Sequence, residues 1–320
     1  ITATSYSGID LSAVTGATGD FSIADKIVHT GDTNTAIRFP TTDTISFETS
    51  GSEGARLDAG RRFLIGSTTA RTSGGSAYAH LQVEGTDSPG AEILVIRNSN
   101  DTYASTLGLV KTRGTSDGAV TTVQDNDKLG QIQFRGADGS DIYAVAASIH
   151  GEVDGSPSDG TDMPGALVFG TTADGAASPT ERLRITSDGR IGINDSTPND
   201  YELDIMKRSA ASDAQMRLYN NATGSSNDTI MRYQIGGTSA ANYIYFGDSG
   251  DSNIGQIVYN HSSDSMRFWT NAAERLRIES TGRIGINTTS SKVNGVHIFD
   301  RHLALDQGYP ITWLQPNSST

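Results

Sequence analysis

The chain has 320 residues, of which 35% are hydrophobic, and it contains 36 glycines, no cysteine and a formal net charge of −13. The lack of cysteine excludes disulfides, thiolate catalysis and cysteine-ligated zinc. The negative charge argues against nucleic acid and against an anionic membrane surface as partners. No apolar run reaches the ~18 residues of a membrane-spanning helix, so no membrane insertion is expected. This composition suits many short strands joined by tight turns.

Short segments of alternating apolar and polar residues run along the chain, which indicates β-strands and argues against disorder. Helical periodicity is missing, apart from one helical turn predicted at 209–215. The segments 131–134 and 255–259 are interpreted as equivalent strands, each directly before the next apolar strand. In chain order, the predicted strands outside the repeated motif lie at 44–49, 91–98, 131–134, 165–171, 214–220, 255–259, 265–270 and 310–315.

One motif recurs along the chain. ERLRITSDGRIGIN at 181–194 and ERLRIESTGRIGIN at 274–287 agree at twelve of fourteen positions, and EGARLDAGRRFLIG at 53–66 is a looser copy. Each copy is predicted to be a β-hairpin whose turn is formed at Gly189 or Gly282, because glycine readily adopts a left-handed conformation. The uneven spacing of the copies argues against a solenoid. We interpret the hairpin as a connector between modules of different length.

Each hairpin is predicted to have one apolar and one polar face. Leu183 and Ile185 share a face with the returning Ile191, whereas Arg184 lies on the other face. We expect the apolar face to be buried against other strands or other chains, and the arginine face to be polar and exposed. A further strand is expected near Leu203. The matching positions are Arg182 and Ile193 in the same copy, Leu276, Ile278, Ile284, Ile286 and Val296 in the third copy, and Val83 in the first.

The repeats divide the chain into four predicted regions. Because an isolated hairpin with one apolar stripe is not stable in water, we expect these regions to depend on a homo-oligomer. The regions are a leading connector at 1–45, a first β module at 46–191 that includes the hairpin 53–66, a second β module at 192–284, and at 285–320 the start of a third module, a tip or a link to a further domain.

Three blocks of sequence resemble repeats in tail-fibre and related structural proteins of tailed phages, those of marine cyanophages in particular. The blocks are DKIVHTGDTNTAIRF (25–39), DGTDMPGALVFGTTADGAASPTERLRI (159–185) and SDGRIGIN (187–194). The resemblance covers most of the chain and is strongest at 25–200 and 255–290. Related fibres often end in an endosialidase-type intramolecular chaperone that cleaves itself off after assembly. No such domain is expected among residues 1–320.

The resemblance implies an all-β, elongated fibre of short antiparallel strands and hairpins, built as an intertwined or axially packed homotrimer. It also implies a place in the virion, contact with other tail or baseplate proteins, and a host-cell surface glycan as a partner. We therefore expect a structural, host-adhesive protein that is not an enzyme and has no cofactor. A carbohydrate-active spike (a depolymerase) and a prophage or bacterial surface adhesin are the alternatives. A depolymerase needs two carboxylates at a defined separation, and no pair stands out among the 37 acidic residues.

Two loops contain residues that could carry chemistry. Gly247-Asp248-Ser249-Gly250 matches the residues around the nucleophile of trypsin-like proteases, but no second feature of that family is present and a hairpin turn is the preferred interpretation. The acidic residues of the loops could bind Ca²⁺, although they lack EF-hand spacing and are interpreted as solvated turn residues. These acidic residues are Asp154, Asp159 and Asp162 in one loop, and Asp248 and Asp251 in the other.

No metal or catalytic site is predicted. Of the six histidines, His297 and His302 are five positions apart, which places them on opposite faces of a strand. The arginines of the motif could bind glycan carboxylates, but ion pairs across strands or chains are preferred. The residues concerned are His29, His80, His150 and His261, and Arg182, Arg184, Arg275 and Arg277 with Glu181 and Glu274.

Overall fold

The computed structural model describes residues 23, 25–29, 31–158, 160–198, 201–206, 216–219, 229–289 and 296–298. The chain divides into two compact units, Ile1–Gln215 and Met216–Thr320. The described residues form twenty β-strands and one short 3₁₀ turn at Pro89–Ala91, without an α-helix. The predicted all-β class is confirmed.

The first unit contains fourteen strands. They are β1 Lys26–His29, β2 Asp32–Arg38, β3 Ile45–Thr49, β4 Ser52–Leu57, β5 Phe63–Ile65, β6 Thr72–Gly74, β7 Ala77–Tyr78, β8 Leu81–Val83, β9 Lys128–Gly136, β10 Ala144–Val153, β11 Gly165–Thr171, β12 Thr180–Ile185, β13 Ile191–Ile193 and β14 Leu203–Ile205. The second unit contains β15 Ala241–Phe246, β16 Gly255–Asn260, β17 Ser265–Thr270, β18 Ala273–Ile278, β19 Ile284–Ile286 and β20 Val296–Ile298.

These strands build three sheets of one topology. The strand orders are β1-β2-β3-β4-β5-β8, β9-β10-β11-β12-β13-β14 and β15-β16-β17-β18-β19-β20. In each sheet five strands form an antiparallel meander, and the sixth pairs in parallel with the fifth. The strands β6 and β7 form a small separate hairpin. The predicted domain boundaries at 45/46, 191/192 and 284/285 stay a prediction.

The repeated motif forms the fourth and fifth strands of every sheet. It therefore belongs to each sheet, and its interpretation as a connector between modules is wrong. The expected downstream strands are present as the sixth strands β8, β14 and β20.

Two other sequence interpretations are corrected. The segment 131–134 lies in the first strand of its sheet, whereas 255–259 lies in the second strand, so the two are not equivalent. The true counterpart of β16 is β10, whose mixed sequence AVAASIHGEV alternates weakly. No strand forms at 91–98 or at 216–219. The predicted turn at 209–215 and strand at 310–315 lie outside the described residues.

A six-residue apolar row crosses each sheet in register, one residue from each strand. Strand pairing places these residues opposite one another on one face. We call this the apolar face. The rows are Ile27-Ile37-Phe47-Ala55-Ile65-Val83, Ile132-Ile149-Phe169-Leu183-Ile193-Ile205 and Ile244-Ile257-Phe268-Leu276-Ile286-Ile298.

On the side opposite the apolar face, a β-bulge at the same position of each sheet determines which side chains lie together. The pairing of β11 with β12 skips Arg182. Since a bulge inserts one residue into the alternation, Glu181 and Arg184 lie on the same face although they are three positions apart. Gly54 and Arg275 are the corresponding bulge residues of the first and third sheets. We call this side the clamp face.

The hairpin turns confirm the predicted role of the two glycines. Gly189 and Gly282 have φ of +85° and +79°, and each donates a backbone hydrogen bond to the residue three positions earlier. In the first hairpin Arg61 takes this position with φ +59° and makes the same bond. A non-glycine residue is therefore tolerated in this turn at some conformational cost.

Candidate functional site: the two faces of the repeated sheet

The apolar face is open in the single chain. Among the described residues only seven hydrophobic side chains are buried, whereas forty large hydrophobic side chains are exposed. The exposed set includes the third members of two apolar rows, Phe47 at 43% and Phe268 at 37%, and the first member of the other row, Ile132 at 50%. Contiguous apolar surface of this kind marks an interaction site.

The buried strand residues lie mainly on the clamp face. Ser46 and Leu64 are fully buried in the first sheet, as are Val168 at 1% and Ser265 at 1% in the other two. Loops contribute to this covering, since Pro179 lies against Gly170 and the backbone of Asp195 lies against Gly192. The burial pattern is thus the reverse of that of a soluble half-buried sheet, in which the apolar face is covered.

A bidentate Glu–Arg pair occupies the same place on each clamp face. Arg184 donates from Nε and Nη2 to the two carboxylate oxygens of Glu181 at 3.0 and 3.1 Å. Glu53–Arg56 and Glu274–Arg277 repeat this geometry in the other sheets. Bidentate pairs of this kind combine charge with fixed geometry. Ion pairs across strands or chains were expected, whereas these three Glu–Arg pairs form within one strand of one chain.

The expectation that the arginine face of the motif is exposed is wrong for Arg184. Arg184 is 9% exposed, because the face that it shares with Val168 and Gly192 is covered. The bulge brings Glu181 onto this face, and a second carboxylate meets Arg184 there. Glu152, on a strand two places away in the sheet, accepts a bond from Arg184 Nη2 at 3.0 Å. Hydrogen bonds to Glu181 and then to Glu152 raise the Arg184 pKa, so this guanidinium is permanently charged.

A buried histidine extends the network of the second sheet. His150 Nε2 lies 3.4 Å from Glu152 Oε2, and the ring is 8% exposed. Its Nδ1 is buried, and no described residue hydrogen-bonds to it. Burial lowers the His150 pKa, and the positive charge of Lys128 adds to this effect. The ring is therefore neutral near pH 7, with one nitrogen unsatisfied.

This histidine lies at a polar cavity on the clamp face of the second sheet. The cavity has a volume of about 510 Å³. Its lining is rich in hydroxyl, amide and carboxylate groups, which suits a polyhydroxylated ligand better than an apolar one. The polar lining residues are Lys128, Gln131, Gln133, Ser148, His150, Glu152, Ser178 and Glu181. We call this the polar pocket. Sequence reasoning missed it because its residues come from separate strands and loops.

The third sheet has aromatic residues where the second has amides. Tyr243 and Tyr245 take the places of Gln131 and Gln133, and their rings stack with centroids 5.2 Å apart. On the apolar face, His261 Nε2 lies 2.7 Å from Asn242 Oδ1. The apolar rows are thus repeated among the sheets, whereas the clamp faces differ outside the Glu–Arg pair.

The loop at 247–251 and the acidic loop around Asp154 and Asp162 form turns, as the sequence predicted. Asp248 accepts backbone hydrogen bonds from Gly250 and Asp251 at 2.8 and 3.1 Å, which closes the loop between β15 and β16. In the other acidic loop, Asp154 accepts from the backbone of Ser187 at 2.7 Å. Asp162 likewise accepts from the backbone of Ser158 at 2.8 Å, whereas Asp159 lies outside the described residues.

The remaining histidines are dispersed. His29 is exposed, and His80 Nδ1 lies 3.3 Å from the carbonyl oxygen of Arg61. His302 and the side chain of His297 lie outside the part of the chain that the structure describes. Within the described ranges, no group of three or more His, Asp or Glu is placed to hold a metal ion. The same part of the chain contains no helix that could cross a membrane.

No protein-family model and no curated protein matches the chain. Among solved structures it is similar to the carboxy-terminal domain of the bacteriophage T5 L-shaped tail fibre, with 13% identity and a TM-score of 0.48 over 69% of this chain and 98% of that chain. It is also similar to that domain solved with its intramolecular chaperone domain, with 14% identity and a TM-score of 0.48 over 71% and 69% of the two chains. Both of these structures are from a phage tail fibre, the class of protein that the sequence repeats resemble.

Proposed function

We propose that the chain is a segment of a homotrimeric tail fibre in a phage virion, which serves as structure and as a host adhesin without catalysis. The observation that carries this proposal is the apolar row that recurs in register in all three sheets, with every described member exposed or only half-buried. Burial of an aliphatic side chain stabilises by about 1.5–3 kcal/mol, so three open rows are a large driving force for association.

The partner on these rows is the same chain. A second copy presents the same six-residue row for each of the three sheets. An unrelated partner would need a matching surface for each of these rows. Homo-oligomers with closed symmetry are the common outcome of such self-complementary contacts. The count of three rests on the sequence resemblance to tail fibres.

Host recognition is assigned to the clamp faces. These faces differ from sheet to sheet, so they are free to serve different contacts while the apolar rows hold the copies together. The polar pocket is the candidate subsite for a surface glycan of the host. Several copies and several fibres that engage together make weak single contacts effective.

The absence of catalysis is proposed from the state of the pocket carboxylates. Glu152 and Glu181 both bond to Arg184, so neither is a free nucleophile or a general acid. A glycosidase needs one carboxylate in each of two distinct roles. Incubation with host polysaccharide should therefore release no oligosaccharide. Release that disappears in Glu152→Gln would establish the depolymerase alternative in place of this proposal.

Electron microscopy of the purified chain tests the fibre itself. We expect elongated particles whose averages show three-fold symmetry. Compact particles that contain one copy would contradict the proposal.

Binding of oligosaccharides derived from host lipopolysaccharide tests the adhesin role. Gln131→Ala removes an exposed amide of the pocket and should weaken binding about tenfold, the usual size of a lost polar contact. Gln256→Ala, on the clamp face of the third sheet, is the matched control and should have no effect. Equal affinity of both variants and the parent would remove the pocket from host recognition.

A further inference from the structure

Residues 92–111 lie between the first and second sheets of the first unit and belong to no strand. Connections longer than about 12–15 residues without secondary structure are uncommon, and they are usually either functional or linker segments. Two apolar runs, 93–96 and 107–110, occur within this stretch. We call them the open arms. With Tyr103 between them they contribute eight large apolar side chains that are 48–92% exposed: Ile93, Leu94, Val95, Ile96, Tyr103, Leu107, Leu109 and Val110.

The stretch has a defined conformation at its middle and at its end. Asp101 accepts hydrogen bonds from Ser99 Oγ at 2.7 Å and from the Tyr103 backbone at 2.9 Å, and it forms an ion pair with Arg97. At the far end, Lys111 and Arg113 pair with Asp127 at 2.9 and 2.6 Å. The open arms therefore have defined positions, one on each side of a turn that Asp101 closes.

The main chain of the open arms is unpaired. From 93 to 110, Tyr103 has the one backbone N–H for which the described part of the chain supplies a partner. The two runs do not form a ladder with each other, although the turn between them is closed. A partner that covers these residues must therefore satisfy N–H and C=O groups as well as apolar side chains. A peptide strand does both, whereas a lipid or a glycan does not offer a matching row of main-chain groups.

We propose that the open arms become β-strands on assembly, through main-chain pairing with a second copy of this chain. This inference rests on the proposed function. It selects an intertwined oligomer over one in which finished modules merely pack side by side. Addition of a strand from another chain is a recurrent mode of recognition, in which main-chain bonds give affinity.

The second arm connects directly to the apolar face. Gly130 and Ile132 lie two positions apart on β9 and face the same side. The Leu109 side chain lies against Gly130, so closely that an added Cβ there would be 2.4 Å from Leu109 Cβ. Whatever covers the apolar row of the second sheet therefore also meets the second arm, and the proposed occupant of that row is another copy.

The size of the surface fits such a contact. At roughly 100 Å² for each buried aliphatic side chain, the eight side chains supply on the order of 800 Å². A stable interface buries about 800 Å² per partner.

Hydrogen exchange on the assembled full chain tests the pairing. Amides of 93–96 and 107–110 should exchange as slowly as those of β10, whereas amides of the exposed turn at 115–118 should exchange at once. Fast exchange of both arms in a chain that sediments as a trimer would overturn this inference and leave the proposed function intact. A folded monomer would overturn both.

A proline scan gives a second, independent readout. Val95→Pro removes an N–H that has no partner within the described chain, so the fold of one copy does not depend on it. We expect this variant to raise the protein concentration at which the assembly dissociates at least tenfold. Asp117→Pro is the control, because Asp117 occupies the second position of a turn closed by Ala119 N and Ser116 O, where proline is favoured. Equal dissociation of the two variants would contradict the proposal.

Discussion

Replacement of Arg184 by alanine should be among the most damaging single changes in the second sheet. Arg184 is 9% exposed and makes three charge-assisted hydrogen bonds, two with Glu181 and one with Glu152. Its removal leaves two carboxylates without a counter-ion in a largely covered place. Loss of one partner from a buried ion pair costs about 3–5 kcal/mol. Since the Glu181 side chain is still 24% exposed, water compensates in part and we expect about 2–4 kcal/mol.

Equilibrium unfolding in urea, followed by circular dichroism at fixed protein concentration, measures this loss. The control is Arg71→Ala, which breaks an ion pair with Glu84 whose side chains are 59% and 35% exposed. Exposed pairs contribute little, so the control should unfold with the parent. The effect of Arg184→Ala should also persist in about 0.5 M salt, because covered pairs are screened weakly. Equal midpoints for both variants would show that the clamp face is solvated and that its assigned burial is wrong.

Three further predictions concern the turn, the histidine and the apolar row. Gly189→Val should destabilise by about 1–2 kcal/mol, because a β-branched residue resists φ of +85°, whereas Arg61→Gly in the equivalent turn should be neutral or stabilising in the same thermal melt. Burial lowers the folded-state pKa of His150, so the unfolded chain protonates first and stability should fall as pH decreases below about 6.5; His150→Gln should flatten that slope in urea titrations. Ile193→Asp should abolish assembly in sedimentation, since it places a charge in an apolar row that other copies cover in the assembly.

The repeated motif predicted the most reliable part of the fold. Its alternation determined which residues share the apolar face, its glycines determined the turns, and the spacing to Leu203 located the sixth strand. The parallel pairing of that strand was not predicted, because alternation carries no information on strand direction. The strand β10 was missed since alanine, serine and glycine obscure its period.

The polar side of the sheets was beyond the reach of local pattern. Alternation placed Arg184 on the polar face, where the structure also has it, but did not show that this face is covered. The bulge at Arg182 brings Glu181 beside Arg184, and Glu152, 32 positions earlier in the chain, meets it there. The polar pocket likewise needs residues from 128 to 181 to meet. Such contacts depend on tertiary pairing, which no motif in the sequence records. The first open arm gave the opposite error. The sequence predicted a strand at 91–98, but this segment has no strand partner within one chain.

Sedimentation equilibrium of the full chain tests the central claim most directly, namely that copies of this chain cover the apolar rows. One copy has a mass of 33.7 kDa. The account predicts a single species of three times that mass across the accessible concentration range, and no folded species of one copy. A monodisperse folded monomer with a β-type circular dichroism spectrum would show that the rows can stay open in water, and would contradict the account.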